Sequence, residues 1–259
     1  MDLRRAFEQD GFVFVHGLFE RSEVAAYETA VMAVARKLLP GFLTSVADSA
    51  KSDPVDILGS IEREHPKEFY AICRDAGGTT AGMRLVAHDR CVEVMRTLVG
   101  ERADLLLPTV PHLFYNAKSV TRLHAGWHQE SAYYPGIEGG VHSWFPLFRN
   151  IESDDGPMLM AKGSHRSRYP FDIERTENGL TQLRPHVDVE ANFEIVECNL
   201  ALGDVVFFHH DLIHATGPNR SGKPRISGIV RYMDMMASPQ FHSVLGFNYP
   251  LPPRPDQGD

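Results

Sequence analysis

The sequence predicts a mainly β protein with α-helices at its N-terminal end: a double-stranded β-helix, or jelly roll, buttressed by those helices. Three observations point there. As far as Gly100 the apolar residues recur at threes and fours, the helical period. From Leu105 onward they come in short runs separated by Gly, Pro, Asn and Asp, the punctuation of a many-stranded β structure. No repeat or low-complexity tract interrupts the pattern, and 259 residues suffice for one substantial core. Residues 1–249 are therefore expected to form one domain, and the proline-dense 250–259 a mobile tail.

Asp2 to Gln9 reads as a short helix that Gly11 ends, before the apolar strand Phe12-Val13-Phe14-Val15. Ser22 is the expected N-cap of a second helix, whose stripe Val24, Tyr27, Val31, Val34 and Leu38 stops at Pro40-Gly41. Residues 42–64 have no clean period and predict a loop with a short helix near Val55 to Ile61. Pro66 opens a further helix that closes before Gly77-Gly78, and Asp89 is the expected cap of one ending at Gly100. The expected strands then follow at Leu105–Leu107, His112–Tyr115, around His128, Ser143–Leu147, Met158–Met160, Phe193–Cys198, Val205–His209 and Ile226–Tyr232.

A formal net charge of −8 argues against nucleic acid as a partner, because phosphate binding needs a basic surface. Cys73, Cys91 and Cys198 are odd in number and widely spaced, which fits buried thiols in a reducing compartment better than a disulfide frame. The charged N-terminus lacks the apolar core of a secretory signal, and no run reaches the roughly 18 apolar residues of a membrane span. A cytoplasmic protein acting on a small molecule is the expectation, without a membrane or nucleic-acid partner.

The chemistry concentrates in Trp127-His128-Gln129-Glu130 and in His214. On an extended strand alternate side chains share a face, so His128 and Glu130 are expected to point together and Gln129 away. A second histidine from a neighbouring strand would complete a 2-His-1-carboxylate site, which holds non-heme Fe(II) and leaves positions open. His186-Val187-Asp188 and His209-His210-Asp211 offer the same pattern, but the first sits in an irregular, charged stretch. The second ends an apolar run with His209 only five residues before His214, leaving no room for a separate ligand strand. His214 follows the apolar run Val205–Phe208, and Arg225 lies eleven residues further on. An arginine there can hold the far carboxylate of a chelating co-substrate, since its planar fork binds carboxylates bidentately and stays charged when buried.

These residues resemble the phytanoyl-CoA dioxygenase family of Fe(II)/2-oxoglutarate oxygenases. The resemblance takes in Trp127-His128-Gln129-Glu130 with Tyr133-Tyr134, then Asp155-Gly156-Pro157 and Gly163-Ser164-His165. It continues through Gly203-Asp204 to His214-Ala215-Thr216-Gly217-Pro218-Asn219 and Arg225, and Phe7 to Val13 matches the family's opening. Glu130 stands where Asp is usual, and Lys162 where proline commonly precedes Gly-Ser-His. The resemblance implies a metal site of His128, Glu130 and His214, with Fe(II), 2-oxoglutarate and O2 as the reacting set. It implies that Arg225 and Thr216 meet the co-substrate carboxylate and that Trp144, Phe114 and Gln129 lie near it; core packing accounts for Trp144 and Phe114 as well. The implied activity is hydroxylation of an unactivated C–H of a small metabolite or natural-product intermediate. The alternative is a metal-binding cupin-type protein, an isomerase or small-molecule binder, which would need neither Arg225 nor 2-oxoglutarate. Segments 42–64 and 165–190, both polar and irregular, are expected to cover the substrate side of the metal.

Overall fold

A computed structural model describes residues 2–42, 53–117, 125–134, 139–175 and 181–234. The helical part comprises α1 (Leu3–Asp10), α2 (Arg21–Leu38), α3 (Pro54–Glu64), α4 (Pro66–Asp75), α5 (Thr80–Val86) and α6 (Asp89–Val99). Local chemistry sets their ends. The Asp2 carboxylate accepts from the Arg4 and Arg5 amides, and Gly11 closes α1 in the left-handed region at φ 84°. Helix α2 starts two residues earlier than Ser22 predicts, because Glu20 and Glu23 form a reciprocal capping box. His88, not Asp89, caps α6. The 42–64 stretch is more regular than expected: Asp53 and Pro54 start a three-turn α3, and residues 43–52 lie outside the described residues.

The β part comprises β1 (Phe12–Val15), β2 (Leu106–Pro108), β3 (His112–Asn116), β4 (Val141–Leu147), β5 (Met158–Ala161), β6 (Phe171–Arg175), β7 (Thr181–Pro185), β8 (Ile195–Glu197), β9 (Val205–His209), β10 (His214–Thr216) and β11 (Arg225–Asp234). A six-stranded antiparallel sheet runs β1-β9-β4-β11, and the far edge of β11 pairs with both β3 and β2. A smaller sheet runs β10-β5-β8, extended at β10 by a single bridge to His128. The two sheets form the predicted jelly roll. The tail at 250–259 lies outside the described residues.

Period-two alternation separates two cores. In β9, Val205 and Phe207 pack with Val13, Phe145 and Val230 against the helices. Val206 and Phe208 turn the other way and pack with Trp144, Met158, Met160 and Ile229 between the sheets. Full burial of side chains this size stabilises by about 1.5–3 kcal/mol each, so a one-residue slip in β9 would misplace both cores at once. That requirement is what fixes the strands around the site. Cys73, Cys91 and Cys198 are all buried and unbridged, in accord with the composition.

Candidate metal centre and co-substrate pocket

His214 opens β10 directly after the buried Leu212 and Ile213, and it exchanges both backbone hydrogen bonds with His128, at 3.1 and 3.0 Å. The two imidazoles thereby stand 4.2 Å apart, centroid to centroid. The expected strand carrying both His128 and Glu130 is corrected here. The bridge lasts one residue, Gln129 is still extended, and Glu130 begins a four-residue helical turn, α7 (Glu130–Tyr133). The turn brings Glu130 round to the histidines, and His214 Nε2 lies 3.9 Å from Glu130 Oε1. One ligand atom from each of His128, Glu130 and His214 lies within 4.8 Å of the other two.

Both imidazoles are oriented as ligands. His128 Nδ1 donates to the Gly126 carbonyl at 2.8 Å, and His214 Nδ1 donates to the Leu212 carbonyl at 2.9 Å. That arrangement leaves each Nε2 lone pair for a metal, the usual way a backbone carbonyl fixes a ligating tautomer. Burial pushes the His128 imidazole down, and burial with the neighbouring His128 takes His214 down to about 3, so both are neutral at neutral pH. Glu130 then supplies the negative charge. Burial alone would raise its carboxyl, but Arg231 overrides this and holds it well below the usual carboxylate range. The Arg231 Nε and Nη2 donate to the two Glu130 oxygens, each at 2.9 Å.

A narrow cavity of about 50 Å³ adjoins these side chains, and His128, Glu130, His214, Arg225, Thr216, Trp144 and Phe114 all line it. Arg225 is 3% exposed, its Nε has no hydrogen-bond partner, and its guanidinium lies 5.3 Å over the Trp144 ring. Burial, with Arg149 nearby, takes it down to about 9. A buried cation left short of a partner in a cavity suits a carboxylate ligand, since an unpaired charge is costly there. Donor set, tautomers and guanidinium together fit an iron ion with a dicarboxylate. Gln129 is the exception among the expected residues. Its Nε2 donates to the Ser167 and Asp211 carbonyls and its Oε1 accepts from the Tyr169 amide, so it ties a loop down and lines no part of the cavity. The expected place beside the co-substrate is corrected to this backbone-bracing one.

Arg231 was missed at the sequence level, although β11 alternation announces it: Arg225, Ser227, Ile229 and Arg231 share one face. His142 was missed as well. It pairs in register with Arg231 and hydrogen-bonds His210 at 2.9 Å, both rings wholly buried. The remaining quoted motifs serve as scaffold. Asn116, opposite Arg225 in register, donates to the Gly156 and Gly217 carbonyls, while Asn219 donates back to the Asn116 carbonyl. A Cβ on Gly156 would come within 2.7 Å of the Gly217 oxygen, and at φ 73° only glycine is unstrained there. His165 reaches the Glu8 carbonyl at 3.2 Å, near α1. His186 pairs with Asp172 at the surface, Asp188 caps the short helix Val189–Asn192, and His209 ends β9. His124 lies outside the described residues.

The family model for phytanoyl-CoA dioxygenase matches residues 7–227. The chain belongs to the phytanoyl-CoA dioxygenase family. Membership brings Fe(II), 2-oxoglutarate and O2 as cofactor and co-substrates, in agreement with the donor set above. The peroxisomal phytanoyl-CoA dioxygenase of Homo sapiens is 31% identical over 98 residues, which are 36% of this chain and 29% of that enzyme. The match thus spans less than a third of the curated relative. The apo structure of the non-heme monooxygenase ThoJ superposes with a TM-score of 0.61 at 21% identity, covering 90% of this chain and 77% of that one. The epimerase SnoN, solved with Fe3+, alpha ketoglutarate and nogalamycin RO, gives 0.60 at 19% identity, covering 99% and 90%. At these identities the likeness establishes the fold. No described helix is long and apolar enough to cross a membrane.

Proposed function

We propose that this protein is a non-heme Fe(II)- and 2-oxoglutarate-dependent dioxygenase that hydroxylates an unactivated C–H of a small molecule. The observation carrying this reading is Arg225, buried with an unpartnered Nε in the cavity that His128, Glu130 and His214 also line. A metal-binding protein without oxygenase activity has no use for that cation. When bound, iron and 2-oxoglutarate supply the oxidising power: O2 is consumed, succinate and CO2 leave, and one oxygen atom enters the substrate C–H to give an alcohol.

This chain's residues hold and shield the reactants. His128 and His214 are the neutral ligands and Glu130 the anionic one, kept ionised by Arg231. Arg225 and Thr216 take the far carboxylate of 2-oxoglutarate, with Trp144 beneath the guanidinium. Met158 and Ile229 line the same cavity and keep water from the buried charges.

Anaerobic titration with Fe(II) and 2-oxoglutarate tests the reading through the visible charge-transfer band of the chelate. The wild-type protein should develop the band, His214→Ala should not, and Arg225→Ala should require far more 2-oxoglutarate. Absence of the band in the wild type, with no iron-dependent 2-oxoglutarate binding by calorimetry, would overturn it. Epimerisation, the activity named for SnoN, would use the same residues; product mass separates the two, since hydroxylation alone adds one oxygen.

A further inference from the structure

Beside the metal cavity lies a second one of about 290 Å³, a size at the lower end of small-molecule sites. The two share Phe114 and Ala125, so whatever fills the second abuts the first. Its walls come mainly from α4, β3 and β7, joined by Ala125 and by Tyr133 of α7, the turn that also carries Glu130. None of the described residues lining it is Lys, Arg, Asp or Glu. His112 and Cys73 are uncharged there at neutral pH. Burial, with Arg231 nearby, takes the His112 imidazole down to about 4, and burial pushes the Cys73 thiol up to about 12.

One polar group stands where the two cavities come closest. The Tyr133 ring meets the His128 ring edge-on at 5.6 Å, and its oxygen accepts the Leu183 amide at 3.1 Å. A phenol oxygen accepting a bond in this way keeps its own O–H to donate. At the outer end Tyr70 is 46% exposed, an aromatic face at the surface.

We infer that the molecule oxidised by this enzyme is neutral and largely apolar, and that its body occupies this second cavity with one hydroxyl or carbonyl oxygen accepting from Tyr133. The inference rests on the oxygenase reading and adds the substrate class to it. An uncharged, largely apolar wall repels an ionised group, because desolvating a carboxylate or phosphate without a partner is costly. A free acid, a phosphate ester and the polyphosphate head of an acyl-CoA would find no charged partner among the described residues of this wall. A planar or alicyclic skeleton with few oxygens matches what the walls offer: aromatic faces from Phe69, Tyr70 and Phe114, the Tyr133 hydroxyl beside His128, and the neutral polar groups of His112, Thr181 and Gln182.

The test uses the full-length protein and 2-naphthol as the probe, with 2-naphthoate and decanoyl-CoA as charged counterparts, each followed by calorimetry on metal-free protein. We expect 2-naphthol to bind at least tenfold more tightly than either anion. Tyr70→Glu, a substitution at a half-exposed helix position, should weaken 2-naphthol at least fivefold and leave the Fe(II)–2-oxoglutarate band unchanged. Tyr133→Phe should weaken 2-naphthol two- to tenfold and leave naphthalene binding unaltered. With Mn(II) at the triad, paramagnetic broadening of the bound 2-naphthol protons should place it beside the metal. Equal or tighter binding of either anion, indifference to Tyr70→Glu, or absence of broadening with Mn(II) bound would overturn the inference. Loss of the charge-transfer band with 2-naphthol selectivity intact would instead sink the oxygenase reading and leave the cavity's chemistry standing.

Discussion

The two cavities that meet at Phe114 and Ala125 are built on opposite terms. The smaller is lined by strands of both sheets and contains the charges of Glu130 and Arg225, each 3% exposed, and of Arg231, whose side chain is 16% exposed. The larger is lined by a helix, an edge strand and one strand of the β6–β7 hairpin, with Ala125 and Tyr133 at its inner end, and among its described residues none is Lys, Arg, Asp or Glu. The difference teaches how the fold divides its labour. Strands packed on both faces cannot slip without losing two cores, so Arg225 and Arg231, both on β11, keep a fixed relation to the rest of the site. The wall of the larger cavity is drawn mostly from α4, β3 and β7, which carry none of the three ligands, and only Tyr133 of α7 ties it to them.

Removing charge from the smaller cavity is the hardest way to break this contrast. His214→Ala should reduce iron-dependent succinate formation to background with the thermal midpoint nearly unchanged in metal-free protein; full activity would remove His214 from the site. Arg231→Leu leaves the Glu130 carboxylate buried and uncompensated, an expected destabilisation of about 3–5 kcal/mol. Urea unfolding measures it, and saturating Mn(II) should restore part of the loss, because a metal ion replaces the missing positive charge. A variant as stable as wild type would show that the pair does not hold Glu130.

Smaller effects sharpen the same comparison. Arg225→Ala should weaken 2-oxoglutarate by roughly 2–5 kcal/mol, the cost of truncating one partner of a buried charge pair, while 2-naphthol affinity stays within twofold. Loss of both ligands together would mean that the cavities are coupled. Asn116→Ala removes two buried hydrogen bonds at the Gly156 and Gly217 carbonyls, with about 1–3 kcal/mol of stability expected to go with them. Cys73, in the larger cavity, should be the gentlest probe. With its thiol pushed up to about 12, only about one molecule in ten thousand is thiolate at pH 8, so alkylation should be slow in the folded protein. Saturating 2-naphthol should slow it further, and rapid labelling regardless of probe would show an open wall.

Segments 42–64 and 165–190, both expected to cover the substrate side, divide along this line too. The second contains the β6–β7 hairpin, and Thr181 and Gln182 of β7 reach the larger cavity. The described part of the first does not line it. Helix α3 packs against α4, with Gly59 close to the Tyr115 hydroxyl (3.1 Å from an added Cβ), and α4 takes the place at the cavity.

By itself the sequence predicted the helical-then-β order, most of the major elements and, as candidates, His128, Glu130, His214 and Arg225; α5, the β6–β7 hairpin and β10 were not foreseen. Period and residue type are local properties: alternation shows which face a strand buries, and few side chains other than histidine and carboxylate make an iron site. The tertiary structure alone decided the path from His128 to Glu130, since a one-residue bridge followed by a helical turn has the same residue pattern as a strand. It also decided that Gln129 braces a loop, because its three partners at Ser167, Asp211 and Tyr169 are 38–82 residues away in the chain. The pairing of Arg231 with Glu130 and the uncharged second cavity were decided there as well. Both arise where separate elements converge, and neither partner choice nor enclosed volume is encoded in any one stretch of chain.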